Sequence, residues 1–222
     1  MRGLHLLVFG DGPHELGATC TRHSPSGLPA LPCLIHRVIG SPVSFSCETR
    51  LLKDVGGHVR GKGHGYTKKV IAAILEARRD GFASVAVLVD RDRRGVQDTL
   101  HPLQAGRDAS PAGCPPCAVG VAVETFDAWM VVDGKAIQAA GGDGSRSHPD
   151  PEGMDGVESS GNHPKVRAAE VFGGGEGLGE KYAVVAKHVG IELLKKQCLK
   201  GFAPFAKEIE EFVRPAVVRA SV

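Results

Sequence analysis

The sequence predicts an α/β protein: a central, mostly parallel sheet flanked by helices, followed by a helical C-terminal part. Three observations lead there. The runs "LHLLVF" (4–9), "ASVAVLVD" (83–90) and "AVGVAVE" (118–124) are apolar without alternation, the pattern of strands covered on both faces. A stretch with helical spacing lies between the first two runs, and further helical stretches come after the last, an order that favours parallel pairing. Each run also ends in a polar or acidic residue at a turn, where such sheets gather their ligands.

The elements are taken in chain order. "LHLLVF" closes on Gly10-Asp11-Gly12-Pro13, a tight turn after a buried strand. A helix is expected over 13–20, with Pro13 tolerated in its first turn. Residues 21–47 turn rich in Ser, Pro and Gly, and within them "CLIHRVI" (33–39) reads as a short strand. "GGHVRGKGHGYTKK" (56–69) is a glycine-rich basic loop opening onto a helix, where Val70, Ile71, Ile74 and Leu75 share a face and Gly81 stops the chain. After the strand at 83–90, "VQDTLHPLQ" reads as a short helix and 105–117 as loop. "TFDAWMVVDGKAIQAA" (125–140) reads as a helix or helix pair, with Trp129 turned inward. Residues 141–162 lack periodicity and are rich in Gly, Ser and Asp, so an exposed, mobile loop is expected. Helical patterns return at 163–172, 180–197 and 203–213. The organisation expected is a core over 1–140, a loop over 141–162, and a helical region over 163–222 packed on the core.

Bulk properties narrow the function. A formal net charge of +2 carries no general attraction for nucleic acid, so any basic surface must be local. No apolar run approaches the ~20 residues of a membrane span, and no export signal leads the chain. Six cysteines, at 20, 33, 47, 114, 117 and 198, are scattered, and the one CxxC spacing has no second CxxC or regular His pair to complete a zinc set, which points to reduced thiols and a cytoplasmic location. Cys114-Pro-Pro-Cys117 reads as a turn. "GDGPHELG" lacks the GxGxxG spacing of a dinucleotide site, and "GGGEGLGEKY" comes after a helix instead of a strand.

The acids carry the chemistry. Asp11 lies just past the first strand, Asp90 and Asp92 past the central one, and Glu124 past the last. Three strand termini thereby deliver carboxylates to one rim. A turn beginning at Arg91 can bring Asp90 and Asp92 together. Clustered carboxylates repel one another unless a cation lies among them, and their oxygens suit Mg2+ or Mn2+. Arg91 and Arg93 of "DRDRR", with Arg60 and Lys62 of the glycine-rich loop, are candidates for phosphate contacts. For the pairs Lys68-Lys69 and Arg78-Arg79 on the helix at 67–80, the plain alternative is a solvated face.

Asp11-Gly12, Glu15 and Asp90-Arg91-Asp92 resemble the motifs of the TOPRIM domain, the Rossmann-like metal-binding fold of topoisomerases, bacterial primases and overcoming-lysogenization-defect (OLD) nucleases. The wider layout is similar to a small stand-alone, OLD-like bacterial family of unassigned function, often encoded beside an ATPase. The segments that carry this are "FGDGPHELG", "RGKGHGYTKKVIAAILEARRDG", "VLVDRDRR", "VAVETFDAWMVVD", "HPKVRAAEVF" and "KYAVVAKHVGIELLKKQCLKGFAPFAKEIEEF". The resemblance implies a metal-dependent nuclease acting on DNA or RNA, the effector of an ATPase-coupled anti-phage defence system. Its site would use Asp11 and Glu15 as catalytic residues and Asp90, Asp92 and either Glu124 or Asp127 as metal ligands. The family's acid–Ala–Trp pattern points to Asp127; strand-end placement points to Glu124. On a helix these two acids, three apart, would share a face. Lys165 or Lys187 could assist, and Lys165 joins the candidates for nucleic-acid contact. The partners implied are a nucleic acid and an ATPase, with a homodimer left open. The family's usual first acid is glutamate, and Asp11 is one methylene shorter. The alternative expectation is therefore a catalytically degenerate module that binds metal and nucleotide, or docks to the ATPase.

Overall fold

The computed structural model describes residues 5–17, 21–40, 45–55, 65–91, 95–157 and 159–220. The fold is α/β, with a five-stranded, mostly parallel sheet. Its strands are β1 (Leu6–Gly10), β2 (Thr21–His23), β3 (Cys47–Leu51), β4 (Ser84–Asp90) and β5 (Cys117–Ala122), in the order β2-β3-β1-β4-β5. β1 pairs in parallel with β3 and β4, and β4 with β5; β2 alone runs antiparallel, against β3.

Alternate residues of the central strands feed two cores. Leu6, Val8, Ala86 and Leu88 face one layer, while Leu7, Phe9, Val85, Val87 and Val89 face the other. That two-residue period comes from the pleat, and it explains why these strands are apolar throughout. The second layer holds α3 (Tyr66–Asp80) and α4 (Val96–Asp108). Gly81 ends α3 in the left-handed region, at φ 77°, a conformation glycine adopts without steric cost.

The first layer is built largely from the C-terminal third of the chain. It takes in α2 (Ala30–Ile39), α5 (Asp127–Met130), α6 (Gly134–Ala139), α7 (Pro164–Phe172), α8 (Leu178–His188), α9 (Ile191–Gln197) and α10 (Phe202–Glu208). A wide π-turn over Ile209–Val213 then leads into α11 (Arg214–Ala220). Trp129 sits at the centre of this layer, fully buried, with Phe202 edge-on at 5.1 Å and Phe205 stacked at 6.3 Å. α10 also screens the outer edge of β5, where the Glu208 carboxylate accepts the Val119 backbone N–H at 3.3 Å. A covered edge is one a second chain cannot extend.

Several local expectations change. Residues 33–39 are helical, as part of α2. Leu31, Leu34, Ile35 and Val38 all lie on the core side, and the prolines at 29 and 32 fall at the helix entry, where a missing N–H costs nothing. β2 and β3 have no apolar signal: β3 reads Cys-Glu-Thr-Arg-Leu, and Arg50 is held by Glu48, Glu76 and Asp80. α3 buries Val70, Ala73, Ile74 and Ala77 and leaves Leu75 exposed. Its face is rotated from the expected one because α4 approaches closely: a Cβ on Gly106 would stand 2.6 Å from the Thr67 carbonyl oxygen. α4 itself runs to Asp108, through residues expected as loop. Residues 141–162 contain two short 3-10 turns, and Glu152 and Met154 are buried. The Glu152 carboxylate accepts the backbone N–H groups of Lys200 and Gly201, at 2.8 and 2.6 Å, which ties this stretch to the turn between α9 and α10.

Candidate active site

The one-turn helix α1 (Pro13–Leu16) comes directly after β1. Its Glu15 carboxylate reaches back to accept the Gly12 N–H at 2.5 Å, half of a capping box. This turn needs small residues: a Cβ on Gly12 would lie 3.0 Å from the Glu15 carboxylate, and one on Gly10 would lie 3.1 Å from Leu16.

Asp11 and Asp90 then tie the strand ends together. The Asp11 carboxylate accepts the Asp90 backbone N–H at 2.8 Å, and the Asp90 carboxylate accepts the Phe126 backbone N–H at 2.9 Å. Each acid thus fixes the backbone from which the next acid projects. Asp127, the residue after Phe126, opens α5, and its carboxylate accepts the hydroxyl of Tyr182 from α8.

These side chains line one cavity of about 450 Å³. Asp11, Glu15, Asp90 and Asp127 contribute the acids; His14, Lys165 and Tyr182 complete its polar wall. A second recess of about 460 Å³ adjoins it and shares His14 and Leu178. The acids perturb one another. Burial, opposed by the Gly12 hydrogen bond and reinforced by the charges of Asp11 and Asp127, pushes the Glu15 carboxyl up to about 7. Asp90 is raised well above the usual carboxylate range by burial and then by the charges of Glu15, Asp11 and Asp127. The Tyr182 phenol is also raised, by burial and by Asp127. Perturbed groups gathered in one cleft are a physical signature of a functional site.

Glu124 takes a different place. It is the one non-glycine with positive φ among the described residues, at 60°, and its buried carboxylate forms an ion pair with Arg91. It therefore does not share a helical face with Asp127, because the helix begins only at Asp127. Neither Glu124 nor Arg91 lines the acid cavity. Asp92, Arg93, Arg60 and Lys62 lie outside the described residues. Lys187 belongs to α8, whereas Lys165, at the start of α7, reaches the cavity wall.

The donor set is all oxygen, which suits a hard divalent cation. Among the described residues no three His, Cys, Asp or Glu side chains stand as a ready-made chelate. Asp11 and Asp90 each place one carboxylate oxygen on a backbone N–H, and Asp127 places one on a phenol. Magnesium retains several waters and is held by one or two carboxylates, a mode that this looser ring of acids fits.

Sequence reasoning misses Tyr182 and His14 as residues of the site. Tyr182 meets Asp127 across 55 positions of sequence, so no local pattern marks it. His14 lies between two residues of the motif, a position that could have flagged it. Comparison with family models, with curated proteins and with solved structures gives no match. Among the described residues no helix is long and apolar enough to cross a membrane.

Proposed function

We propose that this protein is a nuclease that hydrolyses phosphodiester bonds with the help of a bound magnesium or manganese ion. The observation that carries the reading is the meeting of Asp11, Glu15, Asp90 and Asp127 on one cavity, delivered from three strand ends. Crowded acids of this kind cost stability unless positive charge is supplied among them, and a site that retains such a cost is one shaped for chemistry. Asp11, Asp90 and Asp127 would hold the ion. When bound, such an ion polarises a phosphodiester and lowers the pKa of a water.

The remaining steps belong to the protein. Glu15, with its carboxyl at about 7, exchanges a proton readily near neutral pH and serves as the general base that takes a proton from the attacking water. Lys165 at the cavity wall supplies positive charge for a phosphate oxygen. The adjoining recess past His14 extends the concave surface beyond the acids. Arg91 steadies the strand end through its pair with Glu124. The TOPRIM resemblance adds a setting, in which a partner ATPase controls the activity during defence against phage.

The test is incubation of the purified protein with plasmid DNA and with RNA, in Mg2+ or Mn2+, beside Asp90→Ala. Cleavage is expected from the wild type and at least about a hundredfold less from the variant. No cleavage by the wild type, or equal cleavage by both, refutes the assignment. A second reading is favoured by Asp11, which is short and already engaged with the Asp90 backbone: a module that binds metal and nucleotide without turnover. Calorimetric binding of Mg2+ and nucleotide by a protein that cuts neither nucleic acid would support it.

A further inference from the structure

α5 spans only Asp127–Met130, and a single turn is too short to fix the aim of its first side chain. Asp127 is nonetheless 8% exposed, in a cavity shared with other acids that repel it. Something outside the sheet must decide where its carboxylate points. Tyr182 meets that need. Its hydroxyl donates to Asp127 Oδ1, and its ring is fully buried, with His14 edge-on at 6.2 Å, Phe126 at 6.3 Å and Phe172 at 5.8 Å. A ring clamped on these sides leaves its hydroxyl one place to go.

We infer that Tyr182 is the positioning residue of the acid cluster: its phenol, carried by α8, holds the Asp127 carboxylate in the orientation used to take a divalent cation. The inference rests on the metal reading above and deepens it. The C-terminal helices thereby become part of the site, because the sheet's strand ends supply the acids while α8 supplies the donor that sets one of them. A phenol donating to a carboxylate makes a charge-assisted bond. Donors that orient a ligating side chain commonly change metal affinity about 10- to 100-fold when removed.

The test compares wild type, Tyr182→Phe and Asp127→Asn by calorimetric titration with Mn2+. The phenylalanine variant removes one oxygen from a packed ring, and circular dichroism with thermal unfolding in EDTA checks that it folds. The expected result is Mn2+ binding about 10- to 100-fold weaker than wild type, with Asp127→Asn weaker still. A second readout uses the chain's other tyrosine, Tyr66. In a Tyr66→Phe background, adding Mg2+ should produce a tyrosine difference spectrum that disappears when Tyr182 is also replaced. If Tyr182→Phe binds Mn2+ within about twofold of wild type and the spectrum does not respond, the positioning role is overturned and the metal site stands. If wild type takes up no Mn2+ at millimolar concentration, the metal reading falls and this inference with it. Should Tyr182→Phe fail to fold, the spectral change in the Tyr66→Phe protein alone decides.

Discussion

Replacing Glu15 by glutamine tests the electrostatics of the acid cluster without reference to catalysis. The Glu15 carboxyl moves from an ordinary value of 4.5 to about 7 in the folded protein. Between those pH values the unfolded chain has released the proton and the folded chain still holds it. The native state therefore binds more protons, and its stability falls as pH rises from 4.5 towards 7, then levels off. The displacement corresponds to about 3 kcal/mol. Glutamine has nearly the same shape and can still accept the Gly12 N–H, yet it has no charge to bury. In EDTA at pH 8 the Glu15→Gln protein should be more stable than wild type by up to ~3 kcal/mol, or roughly 6–12 °C in unfolding midpoint for a chain of this size. At about pH 4.5 the two should nearly coincide. Asp90 titrates in the same sense, so the variant keeps a shallower slope instead of none. Denaturant unfolding at several values between about pH 4.5 and 8 measures this directly. An unchanged slope, or a variant less stable than wild type at the alkaline end, would show that Glu15 is not buried among like charges.

Two further substitutions separate substrate contact from architecture. Lys165→Ala should raise KM for nucleic acid about tenfold while leaving stability within ~0.5 kcal/mol, because the side chain is exposed at the cavity wall; an unchanged KM removes it from the substrate path. Gly120→Ala should destabilise the protein by ~1–3 kcal/mol in urea, since the new Cβ would stand 2.4 Å from the Phe205 ring. A neutral effect would mean that α10 does not sit against β5 as described.

How much is legible in the sequence varies from element to element. β1, β4 and β5 are readable because each is buried on both faces and so carries an unbroken apolar run. β3 is not, since its Arg50 finds partners on α3 instead of water, and pairing across the fold leaves no periodic trace. α2 shows the hazard of a short window: 33–39 looks like a strand, and only Leu31 restores the helical spacing. The acids at 11, 15, 90 and 127 can be named from strand ends and motif, but the competition between Glu124 and Asp127 cannot be settled there. In the fold Arg91 pairs with Glu124 and Tyr182 with Asp127, and of the two acids Asp127 lines the cavity.

The sequence by itself determined the class of fold and the rim at which the acids gather. Both come from local rules: unbroken apolar runs make buried strands, and a parallel sheet sends their carboxyl ends to one side. Only the tertiary structure decided which acids face the cavity, that burial and neighbouring charge raise Glu15 and Asp90, and that a tyrosine from a C-terminal helix joins them. Those outcomes depend on distances between residues far apart in the chain, and energies that act through space are not encoded in spacing along it.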